Sequence, residues 1–153
     1  MLHFFIMVVV PDLARELARR FEGFKLNPYH DPAGFATIGY GSLLSREKWA
    51  DLSKWSPVTH KEAEALLTSD LEKAARSVLR LCPVPLTEGR FSALIDFTFN
   101  LGSGNLQIST LRKLVNRGDM DEAVEEFHKW VYAGGIKLPG LVRRRAAEAE
   151  IFK

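Results

Sequence analysis

Two hydrophobic patterns divide the first third of the chain. Between residues 12 and 24, apolar side chains recur every three to four positions and predict an amphipathic helix that ends near Gly23. Residues 27–34, NPYHDPAG, are typical of turns. Residues 35–41, FATIGYG, then carry aromatic and β-branched side chains at strand spacing. The sequence therefore predicts a helix followed by a small antiparallel sheet.

Helical patterns fill the rest of the chain. Thr59 followed by Glu62 has the spacing of a capping box and predicts a helix over about 59–80. We expect residues 43–58 to form a loop with short helical turns, residues 101–105 to be a break, and residues 133–140 to be a flexible link. Further helices are expected over about 88–100, 109–118, 119–132 and 141–152. The predicted fold class is α+β and mainly helical.

Composition and charge are those of one soluble domain. The 153 residues are 46% hydrophobic and 26% charged, and the net charge is +2. This mild excess slightly favours anionic partners, namely nucleic acid, cell-wall polymer or a membrane surface, without choosing among them. Cys82 is the only cysteine, which excludes an intrachain disulfide. We expect it to be a buried apolar side chain rather than a nucleophile.

The N-terminal apolar run, residues 4–10 (FFIMVVV), is too short to span a bilayer. It also lacks a basic flank and a small-residue cleavage site. We interpret residues 1–10 as a strand or extended arm that packs on the body. A weak or remnant export signal and an artefact of an alternative start site are the other interpretations.

Two carboxylates and a hydroxyl flank the predicted turn. Glu22 lies at the end of the first helix, Asp31 lies in the turn, and Thr37 lies on the ribbon that follows. Acetal hydrolysis needs a protonated acid, and it usually needs a second carboxylate that activates water or stabilises the cation. Glu22 and Asp31 suit these roles, with Thr37 holding the water. An ordinary helix-to-hairpin junction would have the same spacing, so the spacing alone is weak evidence.

Other candidate sites are less specific. The four histidines lack metal-ligand spacing, and we expect no metal or cofactor. Trp49 and Trp55 are either local packing residues or sugar platforms. The run 143–145, three arginines, is either a solvated or phosphate-binding face, or it sends one side chain inward to a buried acid.

Three separated blocks resemble phage-type lysozymes of glycoside hydrolase family 24. The pattern E-x8-D-x5-T, formed by Glu22, Asp31 and Thr37, resembles the catalytic signature of the family. Residues 93–111 (ALIDFTFNLGSGNLQISTL) resemble its central block. Trp130, AGG and residues 138–152 (LPGLVRRRAAEAEIF) resemble its C-terminal block. The resemblance covers about residues 12–152.

This resemblance implies a muramidase, which hydrolyses the β-1,4 bond between N-acetylmuramic acid and N-acetylglucosamine in peptidoglycan. Glu22 would be the general acid, Asp31 the carboxylate that orients the water, and Thr37 its hydroxyl partner. Inversion at the anomeric carbon is the implied outcome. Arg144 is the arginine expected to pair with Glu22. The expected substrate contacts are Asn100, Tyr40 and Gly39.

The resemblance also implies a lysozyme-like fold with two lobes in a single domain, 1–153. We expect a small lobe with the hairpin over about 11–58, a connecting helix over about 59–80, and a helical lobe over about 81–153. The substrate would be peptidoglycan glycan strands, with no nucleic acid and no stable membrane anchor. The protein would be a monomer that waits in the host cytoplasm until a holin-type pore releases it to the periplasm.

Two other functions share parts of this pattern. A non-catalytic module of the same fold would bind peptidoglycan without turnover, and a lytic transglycosylase would leave anhydro ends. Nucleic-acid binding through the arginine run would show a steep dependence on salt. The complete set of Glu22, Asp31 and Thr37 favours the enzyme.

Overall fold

The computed structural model describes residues 8–153. Within that range, seven α-helices enclose a buried core, and a three-stranded and a two-stranded sheet flank them. The elements are, in chain order, α1 (Asp12–Glu22), β1 (Lys25–His30), β2 (Phe35–Gly39), β3 (Ser42–Lys48), α2 (His60–Leu81), α3 (Glu88–Leu101), α4 (Ser103–Ile108), α5 (Thr110–Arg117), α6 (Met120–Phe127), β4 (Tyr132–Ala133), β5 (Ile136–Lys137) and α7 (Pro139–Phe152).

Side-chain caps begin three of the helices. Thr59 accepts from the backbone N–H of Glu62 over 3.1 Å, so it caps α2 as the sequence predicts, and its hydroxyl donates to the Glu62 carboxylate over 3.2 Å. Thr87 caps α3 and Ser109 caps α5 in the same way. The helices predicted from residues 59, 88 and 109 are therefore confirmed within a residue or two of their observed bounds.

The first sheet is antiparallel with the strand order β1-β2-β3. Its third strand, β3, falls in the range 43–58, where we expected a loop with helical turns. Only Leu52–Lys54 forms such a turn. The sequence did not predict β3 because apolar and polar residues do not alternate along it as they do in a strand with one buried face. Most of its residues are exposed or only partly buried.

Helix α3 is the centre of the helical part. Its residues 92–98 are all buried, and it packs against α1, α2 and α7. Buried apolar side chains from these helices and from α5 and α6 form one continuous core with it. Any charged side chain on the inner face of α3 is therefore held among neighbouring helices.

The lobes meet along α2, which packs against α3 and α4 and also against β2 and β3. The predicted small lobe of about 11–58 contains α1, but α1 packs mainly on α3, α2 and α7. The α+β, mainly helical fold class is confirmed, and the expected lobe boundaries stay a prediction.

The segment between α6 and α7 corrects two predictions. The helix expected over 119–132 ends at Phe127, and the flexible link expected over 133–140 contains the hairpin β4–β5. Gly134 and Gly135 both have positive φ, which suits a two-residue hairpin turn. The break expected over 101–105 holds the start of the short helix α4.

The interpretation of residues 1–10 as an arm falls mostly outside the described residues. Of that segment, Val10 is buried in the core and Val9 is exposed. Within residues 8–153, none of the helices combines the length and the apolar composition that a bilayer crossing requires.

Candidate active site

Glu22 is the last residue of α1, where the helix dipole disfavours a negative charge. A cation offsets this effect, because Arg144 on α7 donates from Nη1 to Glu22 Oε1 over 2.6 Å. Arg144 also donates from Nε and Nη2 to the two oxygens of Asp96 on α3, each over 2.8 Å. One guanidinium therefore joins three helices and two acids.

Arg144 is almost completely enclosed, with 4% of its surface exposed. Its guanidinium lies over the rings of Phe21 and Phe99, at 5.7 Å and 5.8 Å from their centroids. Burial opposes its charge, but the hydrogen bonds and charge of Asp96, and then those of Glu22, raise the pKa of Arg144 above its ordinary value. Arg144 is therefore a permanent cation in this site.

A second buried ion pair lies beside the first. Arg145 donates from Nη2 to Glu148 and to the side-chain oxygen of Asn100. Burial raises the pKa of Glu148 well above its ordinary value; Arg145 opposes this shift, and Asp96 adds to it by its charge and a hydrogen bond. Burial lowers the pKa of Arg145, against the attraction of Glu148.

Asp31 follows β1 and closes the turn to β2. Its Oδ1 accepts from the backbone N–H groups of Ala33 and Phe35, each over 2.9 Å. Its backbone N–H donates to the carbonyl of Phe35, and its carbonyl accepts from Gly34. These bonds fix the carboxylate by one oxygen and leave Oδ2 without a hydrogen bond from any described residue.

Thr37 lies on β2 opposite Tyr29 of β1. Its hydroxyl donates to the carbonyl of Phe35 over 2.8 Å, so the oxygen presents its lone pairs to an incoming donor. Burial, followed by the charges of Glu22 and Asp31, raises the pKa of Tyr29. Tyr29 therefore keeps its phenolic proton in the field of the two carboxylates.

Gly41 connects the acid to an open cavity between the lobes. A Cβ built on Gly41 would lie 3.0 Å from Glu22 Oε2, so that oxygen faces a backbone without a side chain. The cavity, of about 500 Å³, begins at Gly41. Ser42 donates to Asp70 over 2.8 Å and joins β3 to α2 at its edge. Other residues that line the cavity are Leu43, Arg46, Asp70, Lys73, Phe99 and Ser103.

A larger cavity, of about 600 Å³, lies between α1 and α7. Its lining includes Leu13 and Arg143 but none of the three residues Glu22, Asp31 and Thr37. The smaller cavity is the one that reaches Gly41, the residue next to Glu22 Oε2.

The three expected substrate contacts lie elsewhere than the cavity lining. Tyr40 is buried and packs on Phe24 with ring centroids 5.4 Å apart. Gly39 is buried against α2, since a Cβ there would lie 3.0 Å from that of Ala63. Asn100 is half-buried, and its oxygen is bonded to Arg145. The assignment of Asn100, Tyr40 and Gly39 as substrate contacts therefore stays a prediction.

The structure also shows where Cys82 and Trp49, two other candidates from the sequence, lie. Cys82 is buried, and burial raises its pKa to about 11, which suits an inert apolar position. Trp49 is exposed, has a positive φ, and lies over Gly34 beside the ring of His30. In the described part of the chain, no group of three or more potential metal ligands comes together.

Three residues of the site escaped the sequence reasoning. Asp96 is a carboxylate inside an apolar helix, and that mismatch with its surroundings is a readable signal. Tyr29 stands two positions before Asp31, and alternate residues of a strand share a face. The closeness of Gly41 to Glu22 depends on the turn after β2 and has no counterpart in the sequence pattern.

Known proteins share this architecture. The family model described as phage lysozyme matches residues 19–148. A SAR-endolysin of Bacteriophage PS119 is 35% identical over 130 residues, which make up 85% of this chain and 75% of the relative.

Two solved structures superpose over nearly their whole length. An endolysin from Escherichia coli O157:H7 phage FAHEc1 has a TM-score of 0.83 and 31% identity, and the match covers 97% of this chain and 96% of that one. The muramidase domain of SpmX from Asticaccaulis excentricus has a TM-score of 0.82 and 33% identity, covering 94% and 97%. With most of its length matched by the family model and by these relatives, the chain belongs to the phage lysozyme family.

Proposed function

We propose that this chain is an endolysin that hydrolyses the β-1,4 bond between N-acetylmuramic acid and N-acetylglucosamine, with Glu22 as the general acid. Membership of the phage lysozyme family makes the chain a glycoside hydrolase that acts on peptidoglycan. The observation that carries the assignment of the acid is the arrangement of Glu22. One of its oxygens is held by Arg144 and the other faces Gly41 at the mouth of the cavity.

Glu22 would donate its proton from Oε2 to the glycosidic oxygen. Protonation of that oxygen makes the leaving sugar neutral while positive charge develops on the ring that remains. Arg144 holds Oε1, which keeps the carboxyl group oriented during the transfer. The missing side chain at Gly41 leaves room for the leaving group next to Oε2.

Asp31 and Thr37 would bind the water that attacks the anomeric carbon. Asp31 is fixed through Oδ1 and has Oδ2 available as an acceptor for the water proton. The hydroxyl of Thr37 donates its proton to a backbone carbonyl, so its oxygen would accept a hydrogen bond from the same water. Attack by a held water on the face opposite the leaving group inverts the anomeric carbon.

Fragment analysis on purified sacculi tests the reaction. We expect soluble fragments with reducing N-acetylmuramic acid ends, identified by mass spectrometry. Anhydro ends would replace the hydrolase with a lytic transglycosylase, and sacculi that bind the protein without releasing fragments would indicate a binding module. A Thr37→Val variant, similar in shape but without the hydroxyl, should release fragments more slowly if Thr37 holds the water.

The route to the substrate is a further part of the proposal. Relatives that cover most of this chain carry the name SAR-endolysin, which supports export towards the periplasm. We propose a monomer without a stable membrane anchor that is held in the host cytoplasm until a holin-type pore admits it to the wall. Expression without any pore-forming protein tests this route, because lysis under that condition would require export by the chain itself.

A further inference from the structure

The guanidinium of Arg144 divides its donors unequally between two acids. Asp96 receives Nε and Nη2 in a fork of two bonds, each 2.8 Å long, and its side chain is fully buried. Glu22 receives only Nη1, and its side chain is 22% exposed. The buried acid therefore determines where Arg144 lies, and the acid at the cavity receives a single bond.

We propose that Asp96 is a positioning residue for Glu22, which fixes Arg144 and offsets its charge so that the catalytic acid remains protonated to higher pH. This inference rests on the proposed function, because it assumes that Glu22 is the acid. Asp96 lies outside the family signature formed by Glu22, Asp31 and Thr37, and its hydrogen bonds reach Glu22 through Arg144.

Of the two buried acids, Asp96 and Glu148, the hydrogen bonds indicate that Asp96 carries the charge. Both of its oxygens accept from Arg144, so both are used as acceptors. Glu148, also fully buried, accepts from Arg145 through Oε1, and its Oε2 has no hydrogen-bond partner among the described residues. A proton on Glu148 Oε2 would remove this buried negative charge, and the pKa of Glu148, which burial raises, agrees with that assignment.

The groups that face this cluster come from each element packed around it. They are Glu22 on α1, Tyr29 and Asp31 at the sheet, Asp96 on α3, and Arg144, Arg145 and Glu148 on α7. With Glu148 and Tyr29 neutral, the two guanidinium groups face the carboxyl groups of Glu22, Asp31 and Asp96. Removing the charge of Asp96 makes the surroundings of Glu22 more positive by one charge. That change favours the carboxylate form of Glu22, so the acid would lose its proton at lower pH.

The test is the pH profile of reducing-end release from sacculi by Asp96→Asn, compared with wild type. We expect the alkaline limb of the profile to move down by about one pH unit, as for a carboxyl that gains one nearby cation. The matched control is Glu64→Gln, which removes a carboxylate held in a fork by Arg19, a pair that does not touch Arg144. Its alkaline limb should coincide with that of wild type.

An alkaline limb that stays at the wild-type position in folded Asp96→Asn would overturn the inference and leave Asp96 a purely structural residue. If Asp96→Asn does not fold, Asp96→Glu decides the question, since it keeps the charge on a longer arm. A lower rate with the wild-type limb then supports the inference, and an acid-shifted limb contradicts it. A wild type that releases no reducing ends would instead refute the proposed function.

Discussion

Arg144 binds Glu22 across the whole domain: Nη1 lies 2.6 Å from Oε1, although the two residues are 122 positions apart in the chain. The helix dipole makes the end of α1 unfavourable for a carboxylate, and this contact offsets it. The same guanidinium anchors on Asp96, so the geometry of the acid depends on the packing of α1, α3 and α7. The site is thus held by rigid helices on one side and by a turn of the sheet on the other.

Arg144→Lys should show that the fork, and not only the charge, is required. An ammonium group cannot bond both oxygens of Asp96 and reach Glu22 with the same geometry. We expect fragment release to fall by about 100-fold, the effect of misplacing a catalytic group by about an ångström. Arg143→Lys, one position away and exposed, is the control and should keep the wild-type rate. Equal rates for the two variants would show that the fork has no role.

Gly41→Ala should impair the acid directly. The new Cβ would lie 3.0 Å from Glu22 Oε2, at a φ of +88° that side chains rarely adopt. We expect at least about a tenfold loss of rate, together with about 1–3 kcal/mol of lost stability from the backbone. Gly118→Ala is the matched control, because its φ is +81° and nothing lies within 4 Å of the added atom. It should lose stability and keep its rate; a rate loss in both variants would point to strain alone.

Features that depend only on residues close together in the chain could be predicted from the sequence. The cap at Thr59 and the starts of the helices near residues 12, 88 and 109 are local features, so the sequence predicted them. The turn that carries Asp31 is also local, since its bonds stay within residues 31–35.

Contacts between elements that are far apart in the chain could not be predicted from the local sequence pattern. Tyr40 follows β2, and its burial in the core cluster depends on residues far away in the chain. The hairpin β4–β5 is exposed throughout, so it lacks the alternation that marks a strand. The resemblance implied that Arg144 pairs with Glu22, but the sequence did not predict the bond from Arg144 to Asp96.

Glu148→Gln should change the dependence of stability on pH. The pKa of Glu148 is raised in the folded state. When the pH exceeds the ordinary pKa of a glutamate, the native protein therefore keeps a proton that the unfolded chain releases. Stability of wild type therefore falls as pH rises from about 4.5 through the folded-state pKa, by up to about 1.4 kcal/mol per pH unit. In Glu148→Gln, this contribution is absent.

Urea unfolding of both proteins between pH 5 and pH 8 measures the difference. We expect Glu148→Gln to gain stability relative to wild type as pH rises. The pKa of Glu64 is lowered, chiefly by its bond to Arg19, so Glu64→Gln should show a constant difference over this range. A constant difference for Glu148→Gln as well would mean that Glu148 is ionised in the native state.

Cys82 should be inert in the native protein. It is buried, and its pKa of about 11 keeps the thiol protonated at pH 8. We expect a thiol reagent such as Ellman's reagent to react only after unfolding in guanidinium chloride, with one thiol counted per chain. Rapid labelling of the folded protein would contradict the buried placement.

The most direct test of the account is the lysis rate of Glu22→Gln beside wild type, on Gram-negative cells stripped of their outer membrane. The amide has the shape of the acid but no proton to give. We predict that wild type clears the suspension and releases reducing N-acetylmuramic acid ends, while Glu22→Gln remains folded by circular dichroism and clears nothing. Lysis by Glu22→Gln at the wild-type rate would contradict the assignment of Glu22 as the catalytic acid.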